Sequence, residues 1–131
     1  MPGAKRRDVV YVIDSDASVC KAFGGLLRSA SLDAETFSSA EEFLSNRRQE
    51  ENACIIIDIR MPGLSGSDLR VRLASEGIRI PMIAISAHDD EETREHAKKL
   101  RAVSFFRKPV EDQALLDAIW WAIAGGDGKK R

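Results

Sequence analysis

The sequence predicts an α/β domain built on a doubly wound, five-stranded parallel sheet in the order 2-1-3-4-5. Three observations carry that prediction. Short apolar runs alternate with helical patterns along the chain, as repeated βα units require. Three of those runs are apolar without interruption, which fits strands buried on both faces. The length of 131 residues suits one hydrophobic core rather than two. Right-handed crossovers leave few topologies, and the usual five-stranded one puts ligands at the carboxyl ends of its first and third strands.

Taken in order, Val9-Val10-Tyr11-Val12-Ile13 is the first strand, rich in β-branched residues. Val19, Phe23, Leu26, Leu27 and Ala30 then recur at helical spacing. Ala34-Glu35-Thr36-Phe37 is more polar, as an edge strand should be. Ser39 with Glu42 three residues on is a capping box opening a second helix, whose apolar face is Phe43 and Leu44. Cys54-Ile55-Ile56-Ile57 is the third strand. Leu69 and Leu73 mark a third helix, closed by Gly77. Met82-Ile83-Ala84-Ile85 is the fourth strand. From Asp90 to Arg101 the acids come first and the bases last, which suits a helix dipole. The apolar stripe there is thin (Thr93, Ala97, Leu100), so a loosely held helix is expected. Val103-Ser104-Phe105-Phe106 is the fifth strand. Leu115, Leu116, Ile119 and Ile123 form the last helix, ended by Gly125-Gly126. The expected division is a tail over 1–8, one domain over 9–124 and a polar tail or start of a linker over 125–131.

Composition narrows the function. Twenty basic residues face twenty-one acidic ones, a net charge of −1, so nucleic-acid binding through bulk charge is not expected. No apolar run approaches the roughly 20 residues that span a bilayer, and the basic N-terminus lacks the pattern of a signal peptide. Cys20 and Cys54 each lie inside an apolar segment and read as buried, reduced thiols of a cytoplasmic protein, not as a disulfide or a zinc site.

The polar residues fall in a pattern. Asp14, Ser15 and Asp16 follow the first strand, Asp58 ends the third, Ser86 ends the fourth, and Lys108 follows the fifth and precedes Pro109. All lie at carboxyl ends, so the fold gathers them at one edge of the sheet. Crowded carboxylates repel, and a hard divalent cation such as Mg²⁺ is their natural partner. A carboxylate beside such a cation can act as a nucleophile toward phosphorus, with a hydroxyl and a lysine holding the other phosphoryl oxygens. The residues themselves point to phosphoryl chemistry on an aspartate.

Four segments then resemble the receiver domains of bacterial two-component response regulators: Val12 to Asp16, Ile57 to Gly66, Ile85 to Ala87, and Phe105 to Pro109. Each alone is weak; four in this order are specific. The Met-Pro-Gly-Leu-Ser-Gly loop, Ser86-Ala87-His88 and the segment Gln113 to Ile119 look most like the FixJ-type receivers. The resemblance implies a flavodoxin-like (βα)5 fold and a phosphoryl group accepted on Asp58 from a histidine kinase. It implies Mg²⁺ held by Asp14, Asp58 and the backbone carbonyl of Arg60, with Asp16 a further candidate. Ser86 and Lys108 would bind the phosphoryl group. Ser86 and Phe105 would form the switch that reshapes the face of the fourth helix, fifth strand and fifth helix. Output would follow by dimerisation or through an attached domain. FixJ-type receivers usually precede a LuxR-type helix-turn-helix, so DNA contact is expected only through an output domain that this chain does not contain.

Two departures stand out. The family normally has two adjacent acids after the first strand, and here the second position is Ser15, a poorer Mg²⁺ ligand than a carboxylate. Arg101 stands where a glycine often ends the fourth helix, and it is strained if that position needs positive φ. Ser15 keeps open a degenerate receiver that signals without phosphorylation. Asp14-Ser15-Asp16 also resembles the first motif of haloacid-dehalogenase-type phosphatases, with Asp14 as nucleophile and Asp16 as acid–base, but that reading leaves Asp58 unexplained. Plainer roles stand beside these: Asp14 and Asp16 as helix caps, His88 as an exposed loop residue, Phe105 as core packing. Trp121 points away from the core stripe of the fifth helix and is either a lone exposed aromatic or part of a protein interface.

Overall fold

A computed structural model describes residues 8–46 and 52–125. Its elements run β1 (Asp8–Ile13), α1 (Ala17–Ser29), β2 (Asp33–Phe37), α2 (Ala40–Asn46), β3 (Asn52–Asp58), α3 (Gly66–Ser75), β4 (Met82–Ser86), α4 (Glu91–Leu100), β5 (Ser104–Arg107) and α5 (Asp112–Ile123). The strands form one sheet in the order β2-β1-β3-β4-β5, every neighbouring pair parallel, as the alternating pattern predicts. β1, β3 and β4 fill its centre and their apolar runs are buried, whereas edge strand β2 buries only Phe37.

The pleat sorts the core into two clusters. Ile55 and Ile57 of β3 face one cluster, with Phe43 of α2, Leu69 and Leu73 of α3 and Leu100 of α4. Cys54 and Ile56 face the other, with Leu27 of α1 and Leu115 and Ile119 of α5. Tyr11, Phe37 and Phe43 meet on the first side, with Tyr11 and Phe43 edge to face at 5.1 Å between centroids. Three helices cover one face and two the other.

Several details differ from expectation. Asp8 pairs with Asn52 inside the sheet instead of belonging to the tail. β5 begins at Ser104 and not at Val103, whose amide donates to the carbonyl of Met82 immediately before it. The capping box of α2 is half as drawn: Ser39 Oγ accepts from the Glu42 amide, but Glu42 reaches back to the amide and hydroxyl of Ser38. Cys20 is only half-buried, its thiol directed at the carbonyl of Asp14 3.3 Å away; Cys54 is buried, and both thiols are free. Gly125 has φ 87° and follows α5, while Gly126 and the terminal tails lie outside the described residues.

The thin stripe of α4 is as the sequence suggests: Thr93 and Leu100 are its buried residues. Arg101 follows Leu100 with φ 61° and ψ 41°, the left-handed conformation that a Cβ disfavours. On α5, Ala122 joins Leu115 and Ile119 as the third buried residue, and Trp120 and Trp121 are 41% and 51% exposed.

Candidate phosphoacceptor site

The carboxyl ends of β1, β3, β4 and β5 bring Asp14, Asp58, Ser86 and Lys108 to one edge of the sheet. Lys108 is the hub. Its Nζ lies 2.8 Å from Asp14 Oδ2 and 2.9 Å from Asp58 Oδ2, so one ammonium bridges two carboxylates. The side chain of Asp14 is 1% exposed and that of Asp58 12%. Asp58 is therefore the acid that a reactant can reach. Burial works against the charge on Lys108, but the Asp14 and Asp58 carboxylates outweigh it and raise the pKa above the usual lysine value.

Backbone groups aim these side chains. Asp14 Oδ1 accepts from the Asp16 amide at 2.9 Å, and Asp58 Oδ1 accepts from the Arg60 amide at 2.9 Å. Ser86 is fully buried, and its Oγ accepts from the His88 amide at 3.0 Å, which leaves the hydroxyl hydrogen free to donate. The Lys108 amide donates to the Ser86 carbonyl at 2.8 Å, and the Lys108–Pro109 peptide is cis. His88 is exposed, the plainer of its two readings.

Asp16 is the N-cap of α1: its carboxylate accepts from the Ser18 amide at 2.9 Å and the Ser18 hydroxyl at 2.7 Å. Those bonds, the hydroxyl's first, hold its carboxyl below the usual range. Asp14 does not cap; it faces Lys108. Phe105 is half-buried and packs against the cluster under α3 and α4. Ser15 is exposed beside the site.

Two side-chain contacts were not foreseen from the sequence, which assigned Arg60 a role through its backbone carbonyl alone. The guanidinium of Arg60 donates from Nη1 to Thr93 Oγ1 at 2.9 Å and lies 3.6 Å from Asp90, the N-cap of α4. It ties the loop after Asp58 to the first turn of α4. Glu41 of α2 accepts from the Leu64 amide at 3.0 Å and braces the same loop where Gly63 turns with φ 89°. The Gly63 turn was readable from its Pro-Gly pair. The long-range partners of Arg60 and Glu41 were not, because they depend on packing.

Among the described residues no three His, Cys, Asp or Glu side chains are grouped to bind a metal. Two carboxylates and a backbone carbonyl are a set that suits Mg²⁺, which keeps waters and takes substrate oxygens, and not a fully caged ion. Asp14 Oδ2 is buried and takes no hydrogen bond, only the ion-pair contact with Lys108. Such an oxygen is fitted to a cation.

Known proteins resolve the family. Residues 10–120 match the response regulator receiver domain family. The chain is a response regulator receiver domain. The receiver is 42% identical over 118 residues to the response regulator protein TodT of Pseudomonas putida, covering 90% of this chain and 52% of that protein. It is 39% identical over 128 residues to nodulation protein W of Bradyrhizobium diazoefficiens, covering 98% and 56%. The solved FixJ-N structure superposes with a TM-score of 0.80 at 32% identity, covering 92% of this receiver and 96% of that chain. The receiver spans about half the length of the curated relatives it matches, among them proteins named as response regulators and as transcriptional regulatory proteins. Receivers of this family generally bind Mg²⁺ and interact with histidine kinases. Membership removes the phosphatase reading of Asp14, and the near-complete burial of that carboxylate under Lys108 is its physical counterpart. No helix among the described residues is long and apolar enough to cross a membrane.

Proposed function

We propose that this receiver accepts a phosphoryl group on Asp58 from a histidine kinase. The observation that carries the reading is the reachable Asp58 carboxylate held 2.9 Å from Lys108 beside a buried second acid. An Asp58 oxygen attacks phosphorus, the phosphorus–nitrogen bond of the phosphohistidine breaks, and the imidazole leaves with a proton. Lys108 exchanges its carboxylate contact for a phosphoryl oxygen, and the Ser86 hydroxyl donates to another. Attack of water on phosphorus later releases inorganic phosphate and restores the carboxylate.

Asp14, Asp58 and the carbonyl of Arg60 would hold Mg²⁺, with Asp16 the other acid of the same turn. Bound there, the ion offsets the negative charge gathered on carboxylate and phosphoryl oxygens. Movement of Ser86 toward the phosphoryl group vacates space into which the half-buried Phe105 turns, shifting the population of the α4–β5–α5 face. Output follows by homodimerisation or through an attached DNA-binding domain, in the cytoplasm.

Intact mass after incubation with acetyl phosphate and Mg²⁺, followed by peptide mapping, tests this. One phosphoryl group on Asp58, absent from Asp58→Asn, is the expected result. An adduct elsewhere overturns the site. No adduct on the folded protein, restored by Ser15→Asp, favours the second reading that Ser15 motivates, a receiver that signals without phosphorylation.

A further inference from the structure

At the end of the sheet opposite the acidic site, where β4 begins at Met82, a cavity of about 200 Å³ opens between α3, the α3–β4 connection and the residue ending α4. Its floor is apolar: Leu73 and Met82 are buried and Ile78 half-buried. Its rim carries Arg70, Arg79 and Arg101, and no acidic residue lines it. None of the three guanidinium groups has a hydrogen bond or an ion pair among the described residues, a state they share with the side chains of Lys21, Arg28, Arg72 and Lys99, but only here do three such cations line one cavity. Three unpaired cations around one small space repel one another and raise the local positive potential. Arg101 is also held at φ 61°, where glycine is at ease and a side chain is not. A strained residue that adds a third guanidinium to such a cavity is an outlier from which a binding function can be inferred.

We propose that this cavity binds a small organic anion, a monocarboxylate carrying an apolar body about the size of one phenyl ring. Size sets the body: an apolar cavity of about 150 Å³ accommodates benzene, so the larger one here takes a ring with its carboxylate reaching the rim. Leu73, Ile78 and Met82 receive the hydrocarbon. The guanidinium fork suits the carboxylate, and Arg101 is the specificity-determining residue. The site is independent of chemistry on Asp58.

Benzoate titrated into the receiver and followed by amide NMR tests the proposal. Saturable shifts are expected in residues 70–82 and 101, with the amides around Asp58 and Lys108 unmoved. Benzyl alcohol has the ring without the charge, and inorganic phosphate has the charge without the ring. Each should bind at least about tenfold more weakly than benzoate. Arg101→Gly relieves the backbone strain, so it folds, and it should weaken benzoate about tenfold; Arg79→Ala, on an exposed connection, should do likewise. The proposal is overturned by absence of shifts at the solubility limit of benzoate, by shifts confined to the acidic site, or by benzyl alcohol or phosphate binding as well as benzoate. Unchanged affinity in both variants also overturns it, leaving the arginines as solvated charges at the ends of helices.

Discussion

A hydroxyl at Ser15, next to the buried Asp14, stands where the resemblance to receivers leads one to expect a second carboxylate. Mg²⁺ affinity follows the charge of the ligand set, so Ser15→Asp should tighten the ion on the order of tenfold. Equal dissociation constants in the two proteins, measured by titration calorimetry, would remove Ser15 from the account of metal binding. Lys108 makes a second prediction. Its folded pKa is raised, so its contribution to stability is complete below the ordinary value near 10.5 and fades as pH rises through the folded value. Denaturation curves should show Lys108→Met losing a contribution that is constant from neutrality to about pH 10 and that shrinks above it. A difference that grows with alkalinity would contradict the ion-pair geometry. Asp14, Asp58, Ser86 and Lys108 were legible in the sequence because each terminates or follows an apolar run, and a parallel sheet collects such ends. The service of Asp16 as a helix cap was one of two open roles, and its own extended backbone (φ −90°, ψ 111°) with the bond its carboxylate accepts from the Ser18 amide shows that it caps. The burial of Cys54, which pushes its thiol up to about 12, was legible; the half-exposure of Cys20 was not, because it depends on how α1 packs.

Helices and loops add constraints that no single site residue carries. Arg101→Gly should stabilise the receiver by about 1 kcal/mol, since the left-handed conformation after α4 is retained without a Cβ. A lower melting temperature in that variant would mean that the arginine's contacts outweigh its strain. Gly66 opens α3 where a Cβ would stand 3.1 Å from Leu100 of α4, so Gly66→Ala should push these helices apart and cost roughly 1 kcal/mol. Arg60→Ala should leave the buried Thr93 hydroxyl without its donor, destabilise by about 1–2 kcal/mol and speed amide exchange in the first turn of α4. Unaltered exchange there would show that the Arg60 tie is ornamental. The five helices and their order were readable from periodicity and caps. The Arg60–Thr93 and Glu41–Leu64 contacts were not, because residues 33 and 23 positions apart meet only after the sheet has formed.

Across the whole molecule, the sheet order was legible because parallel strands joined by right-handed crossovers admit few arrangements, whereas exposure on α5 had to await packing. Trp121, half-exposed beside Trp120, should matter to association and little to folding. Sedimentation of Trp121→Ala should show weaker self-association than the parent, and identical behaviour would make it a lone surface aromatic. The sheet also keeps its two clusters apart, with α2, α3 and α4 over one and α1 and α5 over the other. Leu73→Ala and Leu27→Ala should each cost about 2–5 kcal/mol, and their combination should equal the sum within about 0.5 kcal/mol. Coupling beyond that would mean that strain crosses the strands. If the two leaves are energetically separate, they are also separately inheritable. A lineage can redraw the surface borne by α1 while the surface borne by α3 and α4 keeps its stability, so each side can diverge without a compensating change on the other.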